Sequence, residues 1–300
     1  MELCFVPIDS DSIPILNCFL SRASYRTCDY SVGGIYMWRK FFQMGYCVVD
    51  DVLFLNAFLA DGEEVLLFPV FNGVSILGLK LVDDYCHKRG IPVKFTAVPA
   101  DALALLKAHY RRVDAREERD WFDYVYRSTD LSTLKGNGYS SIRNHINRFI
   151  REYSQYAIEE INSGNIHEVK AFYLRYCDSI TNKEPDIIYI AEMNATHEVI
   201  DAYSALPFVG LLLRIEGKVV GFTIGEVIQE MLFVHIEKVD RAWHGAYQYL
   251  SREFVLRYSP SSSAYVNREE DVGDPALRRA KMAYQPYELL EKYTVCVYEL

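Results

Sequence analysis

Three apolar stretches, 209–215, 219–228 and 231–239, are separated only by short turns at Glu216-Gly217 and Gln229-Glu230. Connections this short pair neighbouring strands antiparallel, because a parallel neighbour needs a crossover of a dozen residues or more. The chain must therefore contain a three-stranded meander near residue 220. Gly245 breaks the next run, and a helix then carries Tyr247, Leu250, Phe254 and Tyr258 on one face. A strand at 264–267, a short helix at 275–282 and a final strand at 294–298 complete this half.

The first half has the same order of elements. Strands are expected at 46–49, 52–58 and 65–70, with a tight turn at Asp50-Asp51 and a loop at 60–63. Asn72-Gly73 breaks the third strand, and a helix continues to about residue 88, ended by Gly90. A strand at 93–98, a helix at 101–109 and a strand at 122–126 come after it. Meander, glycine break, helix, strand, helix, strand thus occurs twice, with negligible identity between the copies. The expectation is two α/β (α+β) folds in tandem, each a mixed, mostly antiparallel sheet flanked by helices. The Ser-, Thr- and Gly-rich stretch 128–138 reads as the linker, giving domains at 1–130 and 138–300. Before each meander the pattern is helical, at 11–42 in the first half and at 166–180 and 187–203 in the second, where a strand at 156–161 precedes them. Residues 139–153 form a strongly amphipathic helix, with Tyr139, Ile142, Ile146, Phe149, Ile150 and Tyr153 on one face.

Composition removes several classes of function. The chain has 300 residues, half of them hydrophobic, and a net charge of −9. That charge opposes non-specific nucleic-acid binding, so tRNA is disfavoured as a partner and would need a local basic patch. Seven scattered cysteines show no C-x-x-C spacing, which indicates neither a disulfide framework nor a zinc ribbon. No metal spacing surrounds His145 or His235, and both read as structural histidines. The opening segment lacks the basic start and apolar run of a signal peptide, and the apolar window 206–213 is too short to span a membrane. A soluble protein of the reducing cytoplasm is the expectation.

The stretch from Met231 to Tyr293 concentrates the chemistry. An apolar strand, a glycine turn and a helix start together offer backbone N–H groups to an anion. Glu237 falls near the end of a central strand, where a carboxylate needs a reason to be. It is either a general base or the partner in an ion pair with Lys238, Arg241 or a member of the 268–281 block. That block holds four acids and four bases, which suits an internal salt-bridge network as well as a ligand clamp. The polar face of the 139–153 helix carries Arg148 and Arg151, with Arg143 at its edge and Lys135 before it, and is either a phosphate contact or a solvated face.

The element order resembles the GNAT acyltransferase fold, in which the turn after the meander holds the pyrophosphate of an acyl-CoA. The turn here reads Arg241-Ala-Trp-His-Gly245-Ala246, its glycine one place later than in the usual signature, and the first half offers only Phe71-Asn72-Gly73. Three longer stretches carry a closer resemblance. They are Tyr139-Ser-Ser-Ile-Arg143-Asn-His145-Ile-Asn-Arg148-Phe149, then His235-Ile-Glu237-Lys238 with Gly245-Ala246-Tyr247-Gln248, then Tyr265-Val-Asn267-Arg268-Glu-Glu-Asp-Val-Gly273 with Leu277-Arg278-Arg-Ala-Lys281 and Tyr284-Gln-Pro286. Together they are similar to the phosphatidylglycerol lysyltransferase C-terminal domain family, whose members are bacterial tandem-GNAT proteins. The resemblance implies a transfer of an acyl or aminoacyl group, from an acyl-CoA thioester or an aminoacyl-tRNA, to an amine or hydroxyl of a small-molecule or aminoacyl acceptor. It implies Glu237 as the base and Tyr284 as the group that protonates the leaving atom. Lys238, Gly245, Ala246, Tyr247, Asn267, Arg278, Lys281, Arg143 and Arg148 are the implied donor-binding residues. The alternative is a catalytically degenerate pair of GNAT folds that binds a ligand or partner.

Overall fold

The computed structural model describes residues 2–71, 76–180 and 186–299. The chain begins with β1 (Val6–Pro7), α1 (Ile13–Leu20), α2 (Val32–Trp38), β2 (Gly45–Val49), β3 (Val52–Phe58), β4 (Glu64–Leu67) and β5 (Val70–Phe71). It continues through α3 (Ile76–Arg89), β6 (Lys94–Pro99), α4 (Ala100–His109), β7 (Arg112–Glu117), β8 (Asp123–Arg127), α5 (Ser128–Thr133) and α6 (Ser140–Glu152). Then come β9 (Tyr156–Glu160), α7 (Ile166–Ile180), α8 (Ile187–Ala202), β10 (Val209–Ile215), β11 (Lys218–Ile228) and β12 (Met231–Val239). The last elements are α9 (Ala246–Tyr258), β13 (Tyr265–Asn267), α10 (Pro275–Met282), β14 (Glu288–Leu290) and β15 (Lys292–Glu299).

Two compact units result. The first holds Met1–Asp123, Glu270–Gly273 and Leu289–Leu300, and the second holds Tyr124–Glu269 and Asp274–Glu288. The division read from the sequence, 1–130 and 138–300, differs from these units in three places, of which the short segment Glu270–Gly273 in the first unit is one. Strand β8 joins the second unit, and β15, the strand expected at 294–298 to close the second half, lies in the first. Residues 128–138 are not a plain linker either, since they open with α5.

The first unit is built on a sheet of order β1-β2-β3-β4-β6-β15-β7, with β5 also paired to β3. Only β4 and β6 pair parallel among these neighbours. Asp50 and Asp51 both have positive φ, as the two-residue turn between β2 and β3 requires. β3 is almost wholly buried, which explains a sequence that is apolar except for Asn56. Its residues join Phe68, Phe95, Tyr30 and Val82 in the core. The helical pattern at 11–42 resolves into α1 and α2, with a 3-10 turn at Cys28–Tyr30 between them. The expected break at Asn72-Gly73 lies outside the described residues.

The second unit has the sheet order β14-β8-β13-β12-β11-β10-β9. The meander β10-β11-β12 is antiparallel as the short turns demand, and β12 pairs parallel with β13. Phe222 on β11 meets Phe172 and Tyr173 of α7, while α9 buries Tyr249, Leu250, Phe254 and Val255. α6 buries Ile142, Ile146 and Phe149, although Ile150, expected on the same face, is exposed. Each unit is a mixed, mostly antiparallel sheet flanked by helices.

The pairing of β12 changes along its length. Ile224 pairs with Ile236 and the next residue, Gly225, with Val234, so His235 is the extra residue of a β-bulge. Pairing between β12 and β13 is confined to Met231–Phe233, while β12 runs on to Val239. Among the described residues, the far end of β12 therefore has no strand paired on that side, because β13 ends at Asn267.

Candidate active site

Glu237 stands on that free end, and its carboxylate is fixed from one side. The Tyr247 hydroxyl on α9 donates to Glu237 Oε2 at 2.9 Å, and Arg268 Nη2 donates to the same oxygen at 2.7 Å. Arg268 Nη2 also bonds the Tyr247 hydroxyl. Both contacts on Glu237 use Oε2, so Oε1 has no hydrogen bond among the described residues. The carboxylate side chain is 11% exposed and that of Arg268 is 6% exposed. A pair this buried survives because each charge answers the other, and removing one partner leaves the second uncompensated.

Arg268 follows β13 directly and is held at every level. Its N–H donates to the Tyr124 carbonyl at 3.0 Å, and its own carbonyl accepts from Lys281 Nζ at 2.6 Å. Its guanidinium lies 4.7 Å from the ring centroid of Tyr284, with the rings of Tyr126 and Tyr247 each at 5.9 Å. The Tyr126 hydroxyl donates to the Lys281 carbonyl at 2.8 Å. Tyr284 is buried, and burial pushes its hydroxyl up to about 12 against the opposing pull of the Arg268 cation. The hydroxyl therefore carries its proton at neutral pH.

Behind Glu237 lies a second network. The bulge residue His235 is fully enclosed, with Nε2 2.9 Å from Glu226 Oε1 and Nδ1 2.6 Å from Glu269 Oε1. Burial works against its charge, but the two carboxylates outweigh burial and push it up to about 10. It is an imidazolium at neutral pH. Asn267, fully buried, accepts from the Glu269 N–H at 2.7 Å and so supports the turn where Glu269 has positive φ.

The residues singled out from the sequence thus divide. Glu237, Tyr247 and Tyr284 converge on Arg268, with Lys281 and Asn267 bracing it. Lys238 is not among them, since successive strand residues face opposite ways. It pairs with Glu192 of α8 at 2.6 Å. Gly245 and Ala246 cap α9, but Gly245 also has a packing reason. Its φ is +78°, and a Cβ there would stand 2.2 Å from the His145 carbonyl oxygen of α6. Arg143 donates to the carbonyls of Leu134 and Gly136, fastening the start of α6. Arg148 pairs with Glu152 one turn along, on the exposed face. Arg278 sits half-buried on α10.

Sequence reasoning did not pick Arg268 out of its block or foresee Tyr126 as part of its cage. The signal available was Glu237 itself, because a carboxylate on an apolar strand demands a cation. The Glu226–His235–Glu269 group gave only a histidine interrupting an apolar strand. The first unit also contains a set the sequence spacing did not reveal: Cys28, Asp29, Asp123 and Glu270, side chains of metal-ligand type, lie close together. The positive charge in their midst is Lys292 Nζ, 2.6 Å from Asp29 and 2.7 Å from both Asp123 and Glu270. Among the described residues, no helix is long and apolar enough to cross a membrane.

Comparison with known proteins bears on the family and the fold. A conserved protein of unknown function from Bacteroides thetaiotaomicron VPI-5482 superposes with a TM-score of 0.91 at 32% identity, covering 99% of this chain and 100% of that one. The structure of L-PGS from Bacillus licheniformis shares the fold, with a TM-score of 0.66 at 14% identity over 99% of this chain and 93% of the other. An uncharacterised protein of Mycoplasmoides gallisepticum (strain R(low / passage 15 / clone 2)) is 24% identical over 251 residues, 74% of this chain and 80% of the relative. These similarities show a shared fold over nearly the whole chain. The family model described as phosphatidylglycerol lysyltransferase, C-terminal, matches residues 21–296, and the chain belongs to that family.

Proposed function

We propose that the second unit is an acyl or aminoacyl transferase whose acceptor is an amine or a hydroxyl. The observation that carries this reading is a carboxylate pinned at one oxygen and open at the other, beside a buried, protonated tyrosine, on the part of β12 that runs past the end of β13. Glu237 Oε1 takes the proton from the attacking acceptor, and the Tyr284 hydroxyl supplies one to the departing oxygen or sulfur. Acceptor–H and acyl–X give acyl–acceptor and H–X. The donor is an acyl-CoA thioester or an aminoacyl-tRNA ester, with its phosphates toward the start of α9 at Gly245, Ala246 and Tyr247. Arg143 and Arg148 already have partners, so a phosphate at either would have to displace a carbonyl or a carboxylate.

The test offers the purified protein acetyl-CoA, longer acyl-CoAs and aminoacyl-tRNA, with amine and hydroxyl acceptors, and measures acceptor-dependent release of free CoA or deacylated tRNA. Glu237→Gln should lower kcat by roughly 10²- to 10⁴-fold, the usual worth of a positioned base. Equal turnover in that variant removes Glu237 as the base. Absence of acceptor-dependent release with every donor removes the transferase reading.

A further inference from the structure

We infer that Arg268 is the residue that holds the oxyanion of the transfer, its charge released to the substrate as Glu237 takes up the acceptor's proton. The inference rests on the transferase reading of the same site and assigns a residue and a timing that reading does not contain.

Two atoms carry it. Arg268 Nη1 is buried with no hydrogen-bond partner, although Nη2 of the same guanidinium is fully engaged. The Tyr284 hydroxyl, on the ring against which that guanidinium lies, is also buried and at hydrogen-bond geometry to no group, with the Arg268 guanidinium as its polar neighbour. Buried donors are almost always satisfied in a folded protein, and these two neighbours meet each other short of hydrogen-bond geometry, which leaves each able to take a ligand atom. Arg268 is tied down by its own N–H and carbonyl and enclosed by three tyrosine rings. An acyl group bears two acceptor atoms on one carbon, the carbonyl oxygen and the leaving oxygen or sulfur. Tyr284 suits the leaving atom, because it can give up a proton. Arg268 suits the carbonyl oxygen, because a guanidinium stabilises negative charge without losing one.

The pairing with Glu237 sets the timing. In the resting site the carboxylate neutralises Arg268, so the guanidinium offers a carbonyl little more than a neutral donor would. The acceptor nitrogen or oxygen then attacks the carbonyl carbon, and its proton passes to Glu237 Oε1. The carbonyl π pair moves onto oxygen. At that moment Glu237 is neutral and Arg268 carries an unanswered positive charge next to the new oxyanion. Collapse reforms the carbonyl, breaks the bond to the leaving atom and draws the Tyr284 proton onto it. One proton returns from Glu237 to Tyr284 through solvent to reset the site. Stabilisation that is weak before the chemical step and strong during it raises kcat rather than substrate affinity.

Arg268→Lys tests this, since an ammonium can still pair with Glu237 but cannot present a second planar N–H. With a donor that the unaltered protein turns over, kcat should fall by roughly 10²- to 10³-fold, as for loss of an oxyanion donor. KM should stay within about threefold, because a transition-state contact leaves ground-state binding alone. A raised KM with kcat intact makes Arg268 a ground-state binder and overturns the inference while the transferase reading stands, and so does kcat within threefold of the parent. If the lysine variant does not fold, Arg268→Gln in a Glu237→Gln background, which leaves no buried charge unpaired, is compared with Glu237→Gln alone: kcat should fall further in the double variant, and equal kcat overturns the inference. Methylphosphonate, a stable tetrahedral oxyanion, gives a readout independent of turnover by ³¹P NMR line broadening. Saturable binding by the unaltered protein that is lost in the variant supports the oxyanion role even where every donor fails. Binding that persists in the variant, or no binding and no turnover at all, overturns it.

Discussion

At the scale of single residues, His235 shows how a charged side chain can be kept inside a sheet. It occupies the extra position of the β12 bulge, and its ring lies between Glu226 and Glu269. Its folded-state value of about 10 lies above the ordinary 6.5. The stability it contributes is therefore complete below about pH 6.5 and is lost as pH rises through about 10. Urea midpoints measured at pH 6, 8 and 10 should fall across that window, and His235→Gln should flatten the fall. Parallel pH profiles for parent and variant would show that the ring is not the titrating group. This site was partly legible in the sequence. The strand pattern located Glu237 and its need for a cation, and the 268–281 block was one of three places to look for it. The partner within that block was set by where β13 ends, which a linear sequence does not display.

At the scale of elements, strongly periodic segments were readable and edges were not. α6, the meander and α9 are each fixed by local pattern and short turns. β7 has the sequence Arg-Val-Asp-Ala-Arg-Glu, with few apolar side chains to announce it, because an edge strand gains from charges that block further pairing. Gly245 carried two meanings, of which the sequence offered only the ligand-binding one. The structure adds that α9 begins in a left-handed cap pressed against α6. Gly245→Ala should destabilise the protein by roughly 1–3 kcal/mol from the left-handed backbone alone, with the His145 carbonyl and the Phe149 Cβ, 2.2 and 3.0 Å from the new methyl group, adding to it. Thermal and urea unfolding measure this directly. A variant as stable as the parent would mean that α6 shifts aside without cost and that the close approach is not a constraint.

At the scale of the whole molecule, repetition of element order was legible but strand membership was not. In the first sheet β15 lies between β6 and β7, antiparallel to both, and in the second β8 lies between β13 and β14. Each half thus lends its last long strand to the other unit's sheet. Nothing in the alternation of β15 reports which sheet will receive it, because either interior position accepts the same apolar pattern. Dividing the chain at 128–138 therefore breaks both sheets. A fragment of residues 1–133 keeps β6 and β7 but loses the strand that joins them, and a fragment of residues 138–300 loses β8 in the same way. Each would expose two interior strand edges, which are templates for aggregation. Produced separately, both fragments should be insoluble or lack a cooperative unfolding transition. Produced together in one cell they should co-purify, because one contains β8, the other contains β15, and every ladder can then close. Size-exclusion chromatography and thermal unfolding of the separate and paired fragments decide the matter. A sharp transition from either fragment alone would mean that its sheet tolerates the missing strand and that the exchange is dispensable for folding.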